Sequence, residues 1–119
     1  MNYVDGFLAA VPIENKQEFV EHSKMFTELA HKYGALEVVD CWEDDVPEGE
    51  NTSMPLAVKK QDGEAVVFSW IIWPSKEIRD SGMQQLKNDP KASPEVNPIP
   101  FDGRRLIFGG FDVIHQSTK

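Results

Sequence analysis

The stretch AVVFSWIIW, residues 65–73, constrains this chain more than any other. β-Branched and aromatic residues dominate it, it contains neither glycine nor proline, and Pro74 closes it, so it reads as a strand. Successive strand side chains point to opposite faces. Val66, Phe68, Trp70 and Ile72 therefore share one face, and Val67, Ser69, Ile71 and Trp73 share the other. Both sets are largely apolar. Such a strand belongs in a sheet covered on both sides, and the rest of the chain decides what does the covering.

The remaining elements follow from local signals. YVDGFLAAVP gives a first strand from Tyr3 to about Val11, which Pro12 ends. A helix is expected from about Asn15 to Tyr33, with Asn15 as N-cap and Glu18 in capping-box position. Phe19, Phe26, Ala30 and Tyr33 stack on one of its faces, and Gly34 is its stop. ALEVVDCWEDD reads as a second strand and VPEGENTSMP as a polar loop. LAVKKQDGEAVVFSWIIW reads as a hairpin turning at Gln61-Asp62-Gly63. Ser75 caps a second helix over Lys76 to Asn88, with Ile78, Gly82 and Leu86 on one face. A proline-rich loop, NDPKASPEVNPIPFDG, leads to a last strand, RRLIFGGFDVI. Asp102-Gly103 is the turn that starts this strand. No repeat or linker divides the chain, so residues 1–119 form one domain.

This order predicts an α+β fold of ferredoxin-like type, βαββαβ, with an antiparallel sheet and two helices on one face. Two helices, each about 10 Å wide, cover one side of such a sheet. The last strand is also apolar on both sides, with Leu106 and Phe108 against Ile107, Phe111 and Val113. The face bearing Val67, Ile71 and Trp73 is expected to be the bare one. A second copy is its simplest cover, which gives a homodimeric α+β barrel with an isologous interface. Gly109 and Gly110 interrupt the last strand and leave one gap on each face. Trp42 and Trp70 are the bulky neighbours expected at these gaps. The pair either accommodates aromatic packing over bare backbone, or widens a ligand pocket between sheet and helices.

Composition narrows the function. A net charge of −8 opposes nucleic-acid binding, which needs a basic footprint. The longest apolar run falls short of the roughly 20 residues that span a bilayer, and MNYVDGF lacks the regions of a signal peptide. A single cysteine, Cys41, suits a reducing compartment, so a cytoplasmic protein is expected. Asp40, Asp44 and Asp45 lie in an acidic stretch, Glu37 to Glu50. A solvated, repulsive edge is favoured there over a divalent-cation site. His22, His31 and His115 have no zinc-ligand spacing, and no phosphate-cradling glycine loop occurs. No metal or cofactor is therefore expected.

Candidate chemistry centres on Asp5, a carboxylate in an otherwise apolar strand. It must be paired, hydrogen-bonded or protonated. Arg79, Arg104 and Arg105 are its available partners. A structural ion pair is the favoured reading, and an acid–base role for Asp5 with Arg105 is the alternative. Arg79 either meets a carboxylate ligand or forms a surface pair. Ser69 is a lone hydroxyl with no nucleophile elbow around it, and Cys41 has no evident base.

The blocks YVDGF, CWEDDVP, VVFSWI with PSKEIRD, and PFDGRRLIFGGF resemble the YbaA-like family of small uncharacterised bacterial proteins over nearly the whole chain. KASPEVNPIP departs from the family pattern in its proline content and is expected to cost a short helical turn. The resemblance implies a dimeric α+β barrel fold and carries no established activity. Taken with the residues, it points to a cytoplasmic homodimer with a small-molecule pocket between sheet and helices. Trp42, Ser69, Trp70, Arg79, Gly109 and Gly110 are expected to shape that pocket. As an enzyme, the protein would act without metal on an aromatic or oxo-acid ligand. The other reading is a non-catalytic binding or stress-related protein in which the same residues hold fold and dimer. A cavity with Asp5 or an arginine on its wall separates the two.

Overall fold

A computed structural model describes residues 2–119. The fold is α+β, with a four-stranded antiparallel sheet and three helices. In chain order the elements are β1 (Tyr3–Pro12), α1 (Lys16–Lys32), β2 (Glu37–Trp42), a one-turn α2 (Met54–Ala57), β3 (Glu64–Trp73), α3 (Lys76–Asn88) and β4 (Ile107–Asp112). The sheet order is β2-β3-β1-β4, so the doubly apolar β3 and the first strand are central. Their pairing is the longest in the sheet, from Tyr3 opposite Trp73 to Pro12 opposite Glu64.

Local chemistry explains the element ends. Ser75 accepts a hydrogen bond from the Ile78 amide at 3.1 Å and starts α3 at Lys76. Gly34 has φ +113 and releases the chain from α1. Asn15 precedes α1 without a capping-box bond, and its Nδ2 instead donates to the Pro100 carbonyl at 2.9 Å. That contact ties the start of α1 to the proline-rich loop. The loop keeps short turns despite its prolines, a 3₁₀ turn at Pro90–Ala92 and a turn in which the Val96 and Asn97 amides donate to the Ser93 carbonyl.

The expected hairpin is absent. Leu56 and Val58 alternate like strand residues, but Ser53 caps the Leu56 amide and Pro55 sits in the first turn, so the segment coils into α2. β3 pairs instead with β2, from Glu37 opposite Ile72 to Trp42 opposite Val67.

The register settles which face is covered. Val67, Ile71 and Trp73 pack beneath α1 and α3 with Tyr3, Phe19, Leu29 and Leu86. This reverses the sequence-based expectation, which left that face bare. The reason is close packing: a Cβ on Gly82 would lie 2.6 Å from the Trp73 ring, so only glycine lets α3 descend onto it. The opposite face is the open one. Its rows across the sheet are Glu37–Ile72–Val4–Phe111, Val39–Trp70–Gly6–Gly109 and Cys41–Phe68–Leu8–Ile107. Phe68 is 44% exposed, Ile107 41% and Phe111 61%. Val58, behind α2, covers only the Ala10–Val66 end of this face.

Candidate functional site

On the covered side, α1, the sheet and the proline-rich loop do not close completely. They leave a cavity of about 360 Å³. Phe7 and Ile71 form its floor, Phe19 and Phe26 its helical wall, and Ile99 and Phe101 its loop wall. The polar groups on it are few: His22 and Ser23 from α1, Asp40 from β2, Ser69 from β3 and Asn97 from the loop.

Each has a local reason to be there. Asp40 and Ser69 are cross-strand partners, and Ser69 Oγ donates to Asp40 Oδ1 at 2.5 Å. Its hydroxyl proton is thereby committed. Asn97 is 8% exposed, and its Nδ2 donates to the His22 carbonyl at 3.1 Å. That fixes the amide, so Asn97 Oδ1 is the acceptor facing His22 Nδ1 at 3.0 Å, and Nδ1 carries a proton. In the uncharged ring Nε2 is left as an acceptor. The pair also pins the loop to α1, 75 residues away in sequence.

The residues singled out in the sequence divide into three groups. Ser69 and Trp70 line the cavity, although the Trp70 indole lies on the open face, where its Nε1 donates to Glu37 at 3.3 Å. Asp5 and Arg79 sit together away from the wall. Asp5 accepts from Trp73 Nε1 at 2.9 Å and from Arg79 Nη2 at 2.8 Å and Nε at 3.1 Å. The guanidinium also lies over the Tyr3 ring and bonds Asp80. The Asp5 hydrogen bonds raise the already high pKa of Arg79 and keep it charged. Arg105 forms a separate cluster at the far end of the sheet. It grips Glu64 with two bonds of 2.7 Å and reaches Asp102 at 3.2 Å. Arg105 holds the Glu64 carboxyl below the usual range, and Arg104, with help from Arg105, pulls Asp102 down to about 2.

The glycines and Trp42 are also placed. A Cβ on Gly110 would strike the Tyr3 hydroxyl and come within 2.8 Å of Arg79 Nη2, so the bare backbone makes room for the Asp5–Arg79 pair. The Phe111 ring lies over Gly109, where an added Cβ would meet it at 3.4 Å. Tyr3 and Phe111 occupy the gaps, in place of the expected Trp42 and Trp70. The backbone at both positions stays in the strand ladder opposite Asp5 and Gly6. Trp42 packs against Ala9, Val11, Phe19 and Val67, with Lys16 Nζ 5.2 Å from its ring centre. No group of three possible metal ligands occurs among the described residues.

His22 and Asn97 were not singled out from the sequence. A signal for His22 existed: it falls three residues after Phe19 and four before Phe26, on the apolar stripe of α1. For Asn97, lodged in a loop between prolines, no local signal exists.

A family model described as "Protein of unknown function (DUF1428)" matches residues 2–103. The chain belongs to this family. It is 46% identical over 114 residues to the "Uncharacterized protein YbaA" of Escherichia coli (strain K12), a match that covers 96% of this chain and 97% of that protein. The same identity and coverage hold for the "Uncharacterized protein YbaA" of Shigella flexneri. The family is thus YbaA-like, as the sequence blocks suggest. The cavity residues other than Leu106 fall within the matched region.

Proposed function

We propose that this YbaA-like protein is a cytoplasmic homodimer of ferredoxin-like subunits, and that each subunit binds a small, mostly apolar molecule in the cavity beneath α1. The cavity carries the reading. At about 360 Å³ it falls in the range of small-molecule sites, and its wall is apolar with a few convergent polar groups. The antiparallel order β2-β3-β1-β4 with α1 and α3 on one face supports the ferredoxin-like assignment. The open face supports the dimer. Three rows of side chains cross it, Glu37 at its edge is their only charged member, and exposed apolar patches of this kind are interaction surfaces. Laying this face on its own copy gives an isologous sheet-on-sheet interface and the dimeric α+β barrel. A lone half-buried Cys41 fits a reducing cytoplasm. Binding is favoured over turnover at Asp5 or Arg105, because both are held in ion pairs off the cavity wall.

Native mass spectrometry of the protein purified from its own host tests this directly. The expected species is twice the chain mass, with an added small mass on each subunit, and Trp70→Lys returns it to single chains. A monomer at micromolar concentration overturns the dimer. A protein that carries no added mass and that binds no small ring compound in solution overturns the binding reading.

A further inference from the structure

We infer that the cavity selects an uncharged ring compound bearing a hydrogen-bond donor, a phenol or an aromatic amine, and rejects a carboxylic acid; this deepens the binding reading above and rests on it. Size and shape come from the wall, where the rings of Phe7, Phe19 and Phe26 face a void that a fused or substituted aromatic ring fills. The polar end is set by what the neighbouring groups still lack. Asp40 is acceptor-only, and its Oδ1 receives Ser69 while Oδ2 has no partner among the described residues. Ser69 has given its proton to Asp40 and offers only lone pairs. His22 donates Nδ1–H to Asn97, and in the uncharged ring Nε2 is an acceptor. These three groups ask a ligand for a proton.

An anionic ligand meets the opposite circumstance. Among the described residues no Lys or Arg lies on the wall, and neutral donors there are the Ser23 hydroxyl and the second N–H of Asn97. A carboxylate placed there would lose its water and face the Asp40 charge with no lysine or arginine to pair with it. The oxo-acid half of the sequence-based expectation is therefore disfavoured, and the aromatic half is retained. In the bound complex the ligand O–H or N–H donates to Asp40, and the ring lies between the phenylalanines.

Isothermal titration at neutral pH with 2-naphthol and 2-naphthoate, which share a ring system and differ in the polar group, tests the inference. The expected result is 2-naphthol binding at least about tenfold more tightly, with the ratio falling to about twofold in Asp40→Asn, whose amide supplies a donor and removes the charge. Equal or tighter binding of 2-naphthoate overturns the inference and leaves the cavity reading intact. An undiminished preference in Asp40→Asn also overturns it, because selection then lies elsewhere. Failure of both compounds to bind at millimolar concentration removes the cavity reading itself.

Discussion

Asp5 and Asp40 project from the same face of one sheet, yet their surroundings differ completely. Asp5 is 3% exposed, and Trp73 and Arg79 between them occupy both of its oxygens. Asp40 is exposed, holds one hydroxyl and borders a void. The sequence makes Asp5 conspicuous, since it interrupts an apolar strand, whereas Asp40 disappears into an acidic stretch. The structure inverts their meaning. A buried charge that is fully paired has no capacity left for a ligand, and the Asp5–Arg79 pair ties α3 to β1. An accessible carboxylate with a spare oxygen beside an apolar hole is the better binding group. Unused hydrogen-bonding capacity, rather than burial, separates the two.

The largest test of this contrast is Asp5→Asn. It keeps the shape and an acceptor for Trp73 but leaves the Arg79 guanidinium, only 24% exposed, with the more exposed Asp80 as its one remaining charge partner among the described residues. Removing one member of a buried pair costs about 3 kcal/mol. Urea denaturation should record a loss of that order with naphthol affinity unchanged. A loss below about 1 kcal/mol, or weakened ligand binding in a protein of normal stability, breaks the comparison and returns Asp5 to the candidate site.

Gly110→Ala probes the same cluster with a methyl group, and its effect should be smaller. The new Cβ would collide with the Tyr3 hydroxyl and crowd Arg79 Nη2, displacing the guanidinium from Asp5. Overpacking of this kind costs about 1–3 kcal/mol. Gly109→Ala is its internal control. There the Cβ meets only the edge of the exposed Phe111 ring at 3.4 Å, so the change should stay within about 0.5 kcal/mol. Equal effects at the two positions would mean that Gly110 has no special relation to Asp5.

How far the sequence spoke depended on the range of each interaction. α3 was legible to the residue, because Ser75 and the apolar set Gly82 and Leu86 act within a few positions of each other. The doubly apolar β3 was equally plain. Which of its faces the helices cover was not, since that depends on Gly82 meeting Trp73 and on Trp73 Nε1 reaching Asp5 across 68 residues. α2 was misread because Leu56 and Val58 mimic strand alternation, although Ser53 and Pro55 form a short helix start. The site was the least legible part. His22 could be placed by its spacing between Phe19 and Phe26, but its partner Asn97 arrives through loop closure, which leaves no periodic trace. Asp40 needed the cross-strand register with Ser69 before its free oxygen had any meaning.

The smallest expected effect completes the contrast. Asp40→Asn should change the stability of the ligand-free protein by no more than about 0.5 kcal/mol, the value of an exposed polar contact. Asn keeps an oxygen to accept from the Ser69 hydroxyl, and Asp40 forms no ion pair among the described residues that the change would break. The same substitution that leaves denaturation curves unmoved should therefore alter ligand choice, while Asp5→Asn does the reverse. Matched urea curves and naphthol titrations on the two variants give a double dissociation. If Asp40→Asn instead costs as much as Asp5→Asn, the Asp40–Ser69 pair is holding β2 to β3 rather than waiting for a ligand, and the two carboxylates are alike after all.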